Sequence, residues 1–276
     1  MGIQTHIKLI ALDLDGTSVQ ATGEVGPRLL QAIQSAQARG IQVMVATGRM
    51  VQSARRYWIQ MQLRPGPLIA YNGGLAVSMP AATPIFRHGL STEAATFVIR
   101  QALDHNLLTQ VYIGDEMWIS REDSRARHYI ESNHIPALVR NGDDLLNWPE
   151  PPLKILIQAD SDTLDQFRPT IETRDHALEF RVFKSQQDYL EIVRQGVGKG
   201  PALQEVARGL GVEASQVMAI GDAENDADML LWSGLGIAMG QASDAVKRAA
   251  RAVTAPIEED GAAIAIEQWI LDAPRA

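Results

Sequence analysis

Apolar residues in this chain fall in short runs of strand length, and three of the runs end abruptly in small or charged residues. Ile7, Leu9, Ile10 and Leu12 lead into Asp13-Leu14-Asp15-Gly16-Thr17. Residues 41–46 lead into Thr47-Gly48-Arg49, and 217–220 lead into Gly221-Asp222-Ala223-Glu224-Asn225-Asp226. Segments of helical character, 28–39 and 201–210, lie among them. Strand and helix patterns alternate from residue 7 to about 71 and again from 189 onward, which predicts βαβ units and a parallel sheet. Asn72-Gly73-Gly74 marks a turn, followed by a predicted short hairpin through 75–77 and 85–86.

Between 87 and 188 the character changes. Helical stretches (92–105, 121–132, 161–173) mix with the strand-like runs LLTQVYI, EMWIS, LKILIQA and ALEFRVF. That predicts an inserted α+β domain, with Glu150-Pro151-Pro152 as a loop inside it. The expected organisation is an α/β core of 1–86 and 189–276, interrupted at 87–188.

Side chains alternate along a strand, so Asp13 and Asp15 are expected side by side where the first run ends. Gly16 lets the chain turn sharply there. Two carboxylates roughly 4 Å apart repel by about 1 kcal/mol in water and about 4 kcal/mol at an effective dielectric near 20. A hard cation bound by oxygen ligands offsets that repulsion. A solvated acidic turn is the plainer use of the same residues taken alone. In an open α/β sheet the carboxyl ends of the strands form the ligand crevice. The ends of the three runs are expected to converge there, joined by Lys199 of Gly196-Val197-Gly198-Lys199-Gly200.

In this order, the motifs resemble the haloacid dehalogenase superfamily of phosphotransferases, and most of all its Cof-type branch of small-metabolite phosphatases. The likeness spans nearly the whole chain. DLDGT, VATGR, GVGKG and GDAEND are its four motifs, while YNGG (71–74), GIAMG (236–240) and VTAPIEEDG (253–261) are similar to the same branch. The resemblance implies a Rossmann-like, doubly wound, mostly parallel sheet with an inserted α+β cap, and a hydrolase acting on phosphate monoesters. It implies that Asp13 is the nucleophile, becoming an aspartyl-phosphate, a known form of carboxylate catalysis. Asp15 would be general acid and base. Thr47 and the amides around Gly48 would hold phosphate oxygens, and Lys199 would orient Asp13 and neutralise the phosphoryl group. Asp13, the Asp15 backbone carbonyl and Asp222 would hold Mg²⁺. Asn225 would touch phosphate or nucleophile, with Asp226 behind them positioning Lys199 or a metal-bound water.

Charge supports a cation. Asp13, Asp15, Asp222 and Asp226 stand against Lys199 alone, and a phosphate monoester adds roughly −1.5 to −2. Mg²⁺ suits such an oxygen site, since it keeps waters and uses one or two carboxylates plus phosphate. The chain has no cysteine, and its six histidines show no paired ligand spacing, which speaks against zinc or thiolate chemistry.

A net charge of −8 argues against nucleic acid, and Arg55-Arg56 and Lys247-Arg248 read as solvated helix faces. No run reaches the roughly 18–20 apolar residues of a membrane span, and residues 1–8 are too short for a signal peptide. A cytoplasmic enzyme, monomer or homodimer, with a small phosphorylated metabolite as partner is the expectation. In the insertion, Tyr112, Trp118, Arg121, Arg125, Arg127, His128, Lys184 and Tyr189 could face a leaving group, with ordinary packing or solvated surface the simpler use of each.

GLGIAMG has the spacing G-x-G-x-x-x-G and is no dinucleotide fingerprint. GVGKG is no P-loop, since Gly200 stands where Ser or Thr would bind Mg²⁺. Two positions depart from the branch. Ser18 stands where an apolar residue is usual, and Ile257 (or Pro256) where the late loop often carries asparagine. Two other functions are compatible with the same residues: a phosphoryl transferase or mutase, and a non-catalytic metal- and phosphate-binding regulatory module.

Overall fold

The structure is a computed structural model describing residues 7–20, 22–133 and 135–271. Two of the histidines, His6 and His134, and most of the segment considered as a signal peptide lie outside the described residues. The chain forms two compact units, Met1–Phe86 with Gly198–Ala276, and Arg87–Val197.

The first unit begins with β1 (Leu9–Leu12), α1 (Pro27–Ala38), β2 (Gln42–Ala46), α2 (Val51–Gln60), β3 (Gly66–Ala70), β4 (Leu75–Met79) and β5 (Thr83–Arg87). The second unit holds α3 (Thr92–Asp104), β6 (Leu108–Ile113), β7 (Glu116–Ile119), α4 (Ser124–Asn133) and β8 (Leu138–Val139). It continues through β9 (Lys154–Gln158), α5 (Ser161–Glu172), α6 (Asp175–Leu178), β10 (Phe180–Gln186) and β11 (Tyr189–Arg194). The chain then returns to the first unit with α7 (Lys199–Gly209), β12 (Val217–Gly221), α8 (Ala227–Trp232) and β13 (Leu235–Ala238). It closes with α9 (Asp244–Ala249), β14 (Ala252–Val253) and α10 (Gly261–Ile266).

The first unit is built on an eight-stranded sheet of order β14-β13-β12-β1-β2-β3-β4-β5. Neighbours from β14 to β3 run parallel, and β4 turns back antiparallel to β3. Every residue of β1 is buried, whichever face it points to, as a parallel strand covered on both sides requires. Leu9, Ala11, Met44, Ala46 and Ala219 pack on one face against Leu203 and Val206 of α7 and Met229 and Leu230 of α8. Each large side chain buried this way contributes about 1.5–3 kcal/mol. Helix α1 shows why such segments become helices: Pro27 opens it, and Leu29, Ala32, Ile33 and Ala36 repeat along one buried face.

The second unit carries a six-stranded sheet of order β10-β11-β9-β6-β7-β8. Its pairs are antiparallel between β10 and β7, and β8 lies parallel to β7. One face buries Val111, Ile155, Ile157, Leu190 and Ile192 against Val98 and Ile99 of α3 and Leu164 and Phe167 of α5. Ser91 and Asp160 cap α3 and α5, accepting from Ala94 N–H and Thr163 N–H. Alternation puts Lys154, Tyr112 and Glu191 on the other face, where Lys154 and Glu191 form a buried ion pair at 3.1 Å.

The expected boundary at residue 188 is corrected here. Strand β11 lies between β10 and β9 in the second sheet, with Leu190 opposite Ile157 and Ile192 opposite Val182, so the unit runs to Val197. An alternating pattern marks 189–194 as a strand but does not say which sheet it joins.

Within the second unit, several of the residues considered for a leaving group are bonded to their own neighbours. Tyr112 Oη donates to Gln110 Oε1 at 2.6 Å, Trp118 Nε1 donates to Glu116 at 3.0 Å, and Lys184 pairs with Asp165 at 2.6 Å. Arg121 pairs with Asp123 at 3.1 Å, while Arg125, Arg127 and His128 are exposed. Burial and the nearby Asp188 push the Tyr189 hydroxyl up to about 12.

Candidate active site

Strands β12, β1 and β2 lie side by side and parallel, so their carboxyl ends meet at one edge of the first unit's sheet. Asp13 and Thr47 extend the ladder by one bond each, Asp13 N–H to Ile220 O at 3.0 Å and Thr47 N–H to Ile69 O at 2.9 Å. Lys199 opens α7 and is almost fully buried. Its ammonium donates to Asp13 Oδ1 at 2.6 Å and to Asp226 Oδ1 at 2.5 Å. Thr17 Oγ1 donates to Asp222 Oδ1 at 2.9 Å.

Two carboxylates thus share one ammonium, with Asp222 as a third beside them. Burial pushes the Asp13 carboxyl well above the ordinary carboxylate range, the Asp226 charge adds to this, and Lys199 opposes it. Burial and then Asp226 push Asp222 up to about 6. Burial alone would disfavour the Lys199 ammonium, but Asp13 and Asp226 outweigh it and hold the group charged above its usual range.

Asp13, Asp222 and Asp226 each offer a carboxylate oxygen within 4.8 Å of the others. The three are not equivalent. Asp226 is committed at both oxygens, Oδ1 to Lys199 and Oδ2 to the N–H groups of Asp222 and Ala223 at 3.0 and 2.9 Å. Asp13 Oδ2 and Asp222 Oδ2 accept no hydrogen bond among the described residues. Two uncommitted carboxylate oxygens in an anionic pocket are the donor type a hard cation such as Mg²⁺ takes, so the residues fit the metal. Gly16 closes the loop over them. Its φ is +80°, and a Cβ there would come within 2.3 Å of Asp222 Oδ2.

Asp13 and Asp15 differ in their surroundings, although the Asp15 charge still acts on Asp13. Strand β1 ends at Leu12, so the two-residue alternation stops before Asp15. Asp13 is 4% exposed, whereas the Asp15 side chain is 56% exposed and is held by Arg49, Nη2 to Oδ1 at 2.6 Å and Nε to Oδ2 at 2.8 Å. Arg49 is paired with Asp15, so Asp13, Asp222 and Asp226 are left with Lys199 as their cation.

The other expected residues gather at the same edge. Thr47 Oγ1 accepts from Arg49 N–H at 3.1 Å, and Asn72 N–H donates to Thr47 O at 3.1 Å. Gly48 leaves room for Asn72, whose Oδ1 would lie 2.8 Å from a Cβ at that position. Asn225 Nδ2 donates to the same Asn72 Oδ1 at 2.8 Å.

Sequence patterns did not single out Thr17, Arg49, Asn72, Asp228 or Gln241. Thr17, Arg49 and Asn72 stand inside quoted motifs (DLDGT, VATGR and YNGG), so membership of a motif was the available signal. Both departures from the branch are absorbed locally. Ser18 Oγ donates to Asp13 O at 2.6 Å, fixing the loop after β1. Ile257 offers its backbone, N–H to Gln241 Oε1 at 3.1 Å, and Gln241 Nε2 donates to Gly16 O at 2.6 Å.

The chain is similar to known proteins over most of its length. A 5-amino-6-(5-phospho-D-ribitylamino)uracil phosphatase of Bacillus subtilis, YitU, is 30% identical, covering 97% of this chain and 99% of its own length. An HMP-PP phosphatase of Cronobacter sakazakii is 28% identical over 85% of each chain. The crystal structure of a haloacid dehalogenase-like hydrolase from Bacteroides thetaiotaomicron superposes with a TM-score of 0.85 at 29% identity, covering 95% of this chain and 99% of that one. Residues 10–266 match the haloacid dehalogenase-like hydrolase family. With its parallel sheet, its four ordered motifs and these relatives, the chain belongs to the haloacid dehalogenase-like hydrolases.

Proposed function

We propose that this hydrolase is a Mg²⁺-dependent phosphatase of small phosphorylated metabolites that works through an aspartyl-phosphate on Asp13. The observation that carries the proposal is the sharing of Lys199 between Asp13 Oδ1 and Asp226 Oδ1, which leaves Asp13 Oδ2 uncommitted beside Asp222. One pinned oxygen fixes the carboxylate's rotamer, and a carboxylate so held attacks from a set direction.

In the first half-reaction an Asp13 oxygen bonds to phosphorus and the ester P–O bond breaks. The leaving oxygen keeps the electron pair and takes a proton from Asp15. In the second, water gives a proton to Asp15 as it attacks phosphorus, releasing phosphate and restoring Asp13. Thr47 Oγ1, the Gly48 N–H and Asn225 hold the remaining phosphate oxygens, and Lys199 balances their charge. Asp13, the Asp15 carbonyl and Asp222 would hold Mg²⁺, which supplies positive charge against the phosphoryl oxygens.

The names of the two curated relatives support a substrate that is a small phosphorylated molecule. The inserted unit is the part we assign to choosing among such molecules. Phosphate release from a broad panel of phosphorylated metabolites, with Mg²⁺ or EDTA, tests the proposal alongside Asp13→Asn. Turnover that needs both the metal and Asp13 is expected. Undiminished turnover by Asp13→Asn removes Asp13 as the nucleophile.

A further inference from the structure

Lys199 reaches Asp13 only if its own backbone is held still, and α7 gives it little help. The first N–H groups of a helix lack intrahelical partners. Here the N-cap is Gly198, which has no side chain to answer them. Pro201 contributes no N–H. The answer comes from another helix: Gly200 N–H donates to Asp228 Oδ1 at 3.0 Å, from the first turn of α8.

The fit around that bond is close on both sides of Lys199. A Cβ on Gly198 would come within 2.1 Å of Asp228 Oδ2, and one on Gly200 within 2.6 Å of the Asp228 carbonyl. Gly198 and Gly200 of GVGKG therefore make space for one aspartate. A carboxylate at a helix N-terminus is also favoured by the helix dipole. Two residues earlier, Asp226 takes the Lys199 ammonium. One short stretch thus grips Lys199 twice, at its side chain through Asp226 and at its flanking backbone through Asp228.

We propose that Asp228 is a positioning residue, setting where Lys199 stands and hence how Asp13 is aimed. It acts through the Gly200 backbone, whose N–H its Oδ1 accepts. This inference rests on the assignment of Asp13 as nucleophile and deepens it.

The test compares Asp228→Ala, Asp228→Asn and Asp228→Glu with Val206→Ala, which loosens the α7 packing about two turns away from Lys199. Steady-state kinetics with Mg²⁺ and a turned-over phosphate ester are read beside Tm. Misplacing a catalytic group by about 1 Å costs on the order of 100-fold, so Asp228→Ala is expected to lose about 10- to 100-fold in kcat. KM is expected to change far less. Asp228→Asn keeps an acceptor for Gly200 N–H and is expected to restore most of kcat. Asp228→Glu keeps the charge but moves it by one methylene; it is expected to lose kcat, and it carries the test if the alanine variant does not fold.

Val206→Ala is expected to lower Tm without touching kcat. Parental kcat in both Asp228→Ala and Asp228→Glu overturns the proposal. So does a loss in Val206→Ala equal to that in Asp228→Ala at the same fall in Tm, since loosened packing then explains both. Asp13→Asn separates the two levels: if it turns over normally, the assignment of the nucleophile fails. If it is dead while Asp228→Ala is unimpaired, only the role of Asp228 fails.

Discussion

Arg49 grips Asp15 at two points, Nη2 to Oδ1 at 2.6 Å and Nε to Oδ2 at 2.8 Å, and the arginine is the better fixed partner. Its side chain is 16% exposed, stacks 5.1 Å from the Tyr57 ring centroid and donates to Ser53 Oγ at 3.2 Å. The carboxylate it holds is more than half exposed. Such pairs contribute only about 0–1 kcal/mol to stability. Their effect is geometric, since a guanidinium fork sets the plane of the carboxylate.

Arg49→Gln is therefore expected to shift Tm only slightly while lowering kcat/KM by about tenfold or more, because Asp15 loses its orientation. Arg49→Lys, which keeps the charge but not the fork, is expected to recover little. Paired thermal melts and kinetics check both.

The raised carboxyls at the site would make the proposed Mg²⁺ binding a function of pH. Asp222 lies at about 6, against an ordinary 3.8. A carboxyl raised on folding favours the folded state while protonated, and that contribution disappears as pH climbs from the ordinary value to the raised one. In metal-free protein the Asp222 contribution to stability accordingly falls between about pH 4 and pH 6. A cation competes with those protons, so its stabilising effect grows across the same interval. The Tm gain on adding Mg²⁺ is expected to be small near pH 4 and large by pH 7. In Asp222→Asn the gain should be greatly reduced at every pH. A pH-independent gain in the parent would show that Mg²⁺ binds elsewhere.

Gly16→Ala tests the closeness of the loop to Asp222. The new methyl would fall 2.3 Å from Asp222 Oδ2, and an L-residue at φ +80° is itself strained by about 1–2 kcal/mol. Weaker Mg²⁺ binding is expected, by about tenfold or more, alongside a lowered Tm. Isothermal titration with MgCl₂ measures it, and parental affinity would mean that the carboxylate moves aside without consequence.

The buried Lys154–Glu191 pair lies in the inserted unit. Removing one partner of a buried pair costs about 3–5 kcal/mol, whereas replacing both by apolar residues of similar volume is often neutral. Glu191→Leu is expected to unfold at markedly lower denaturant than the parent, and Lys154→Met with Glu191→Leu to recover most of the loss.

The parts of this protein legible in its sequence are those where chemistry and strand ends coincide. Asp13, Thr47 and Asp222 follow apolar runs directly, and parallel strands bring run ends together whatever lies between them. Lys199, at the start of α7, donates to both Asp13 and Asp226. Asp15 lies beyond the end of β1, where alternation, a property of extended backbone, no longer sets its direction. Arg49, Asn72 and Asp228 escaped notice for a different reason. Each acts by reaching a group distant in sequence, and periodicity carries no information about such partners. The same holds for β11, whose pattern reveals a strand but not the sheet it completes.

The central strand has a further consequence for how the protein is made. Leu9 pairs on one side with Gln42 and on the other with Val217, and 186 residues separate Asp13 from Lys199. At about 5–20 residues per second, a ribosome takes roughly 10–40 s to cover that interval. Throughout it, the nascent chain carries an apolar edge with no neighbour and an aspartate without its counter-ion. The inserted unit, complete in sequence before β12 emerges, is free to fold while the first strand waits, and a chaperone shielding that exposed edge would act in this interval.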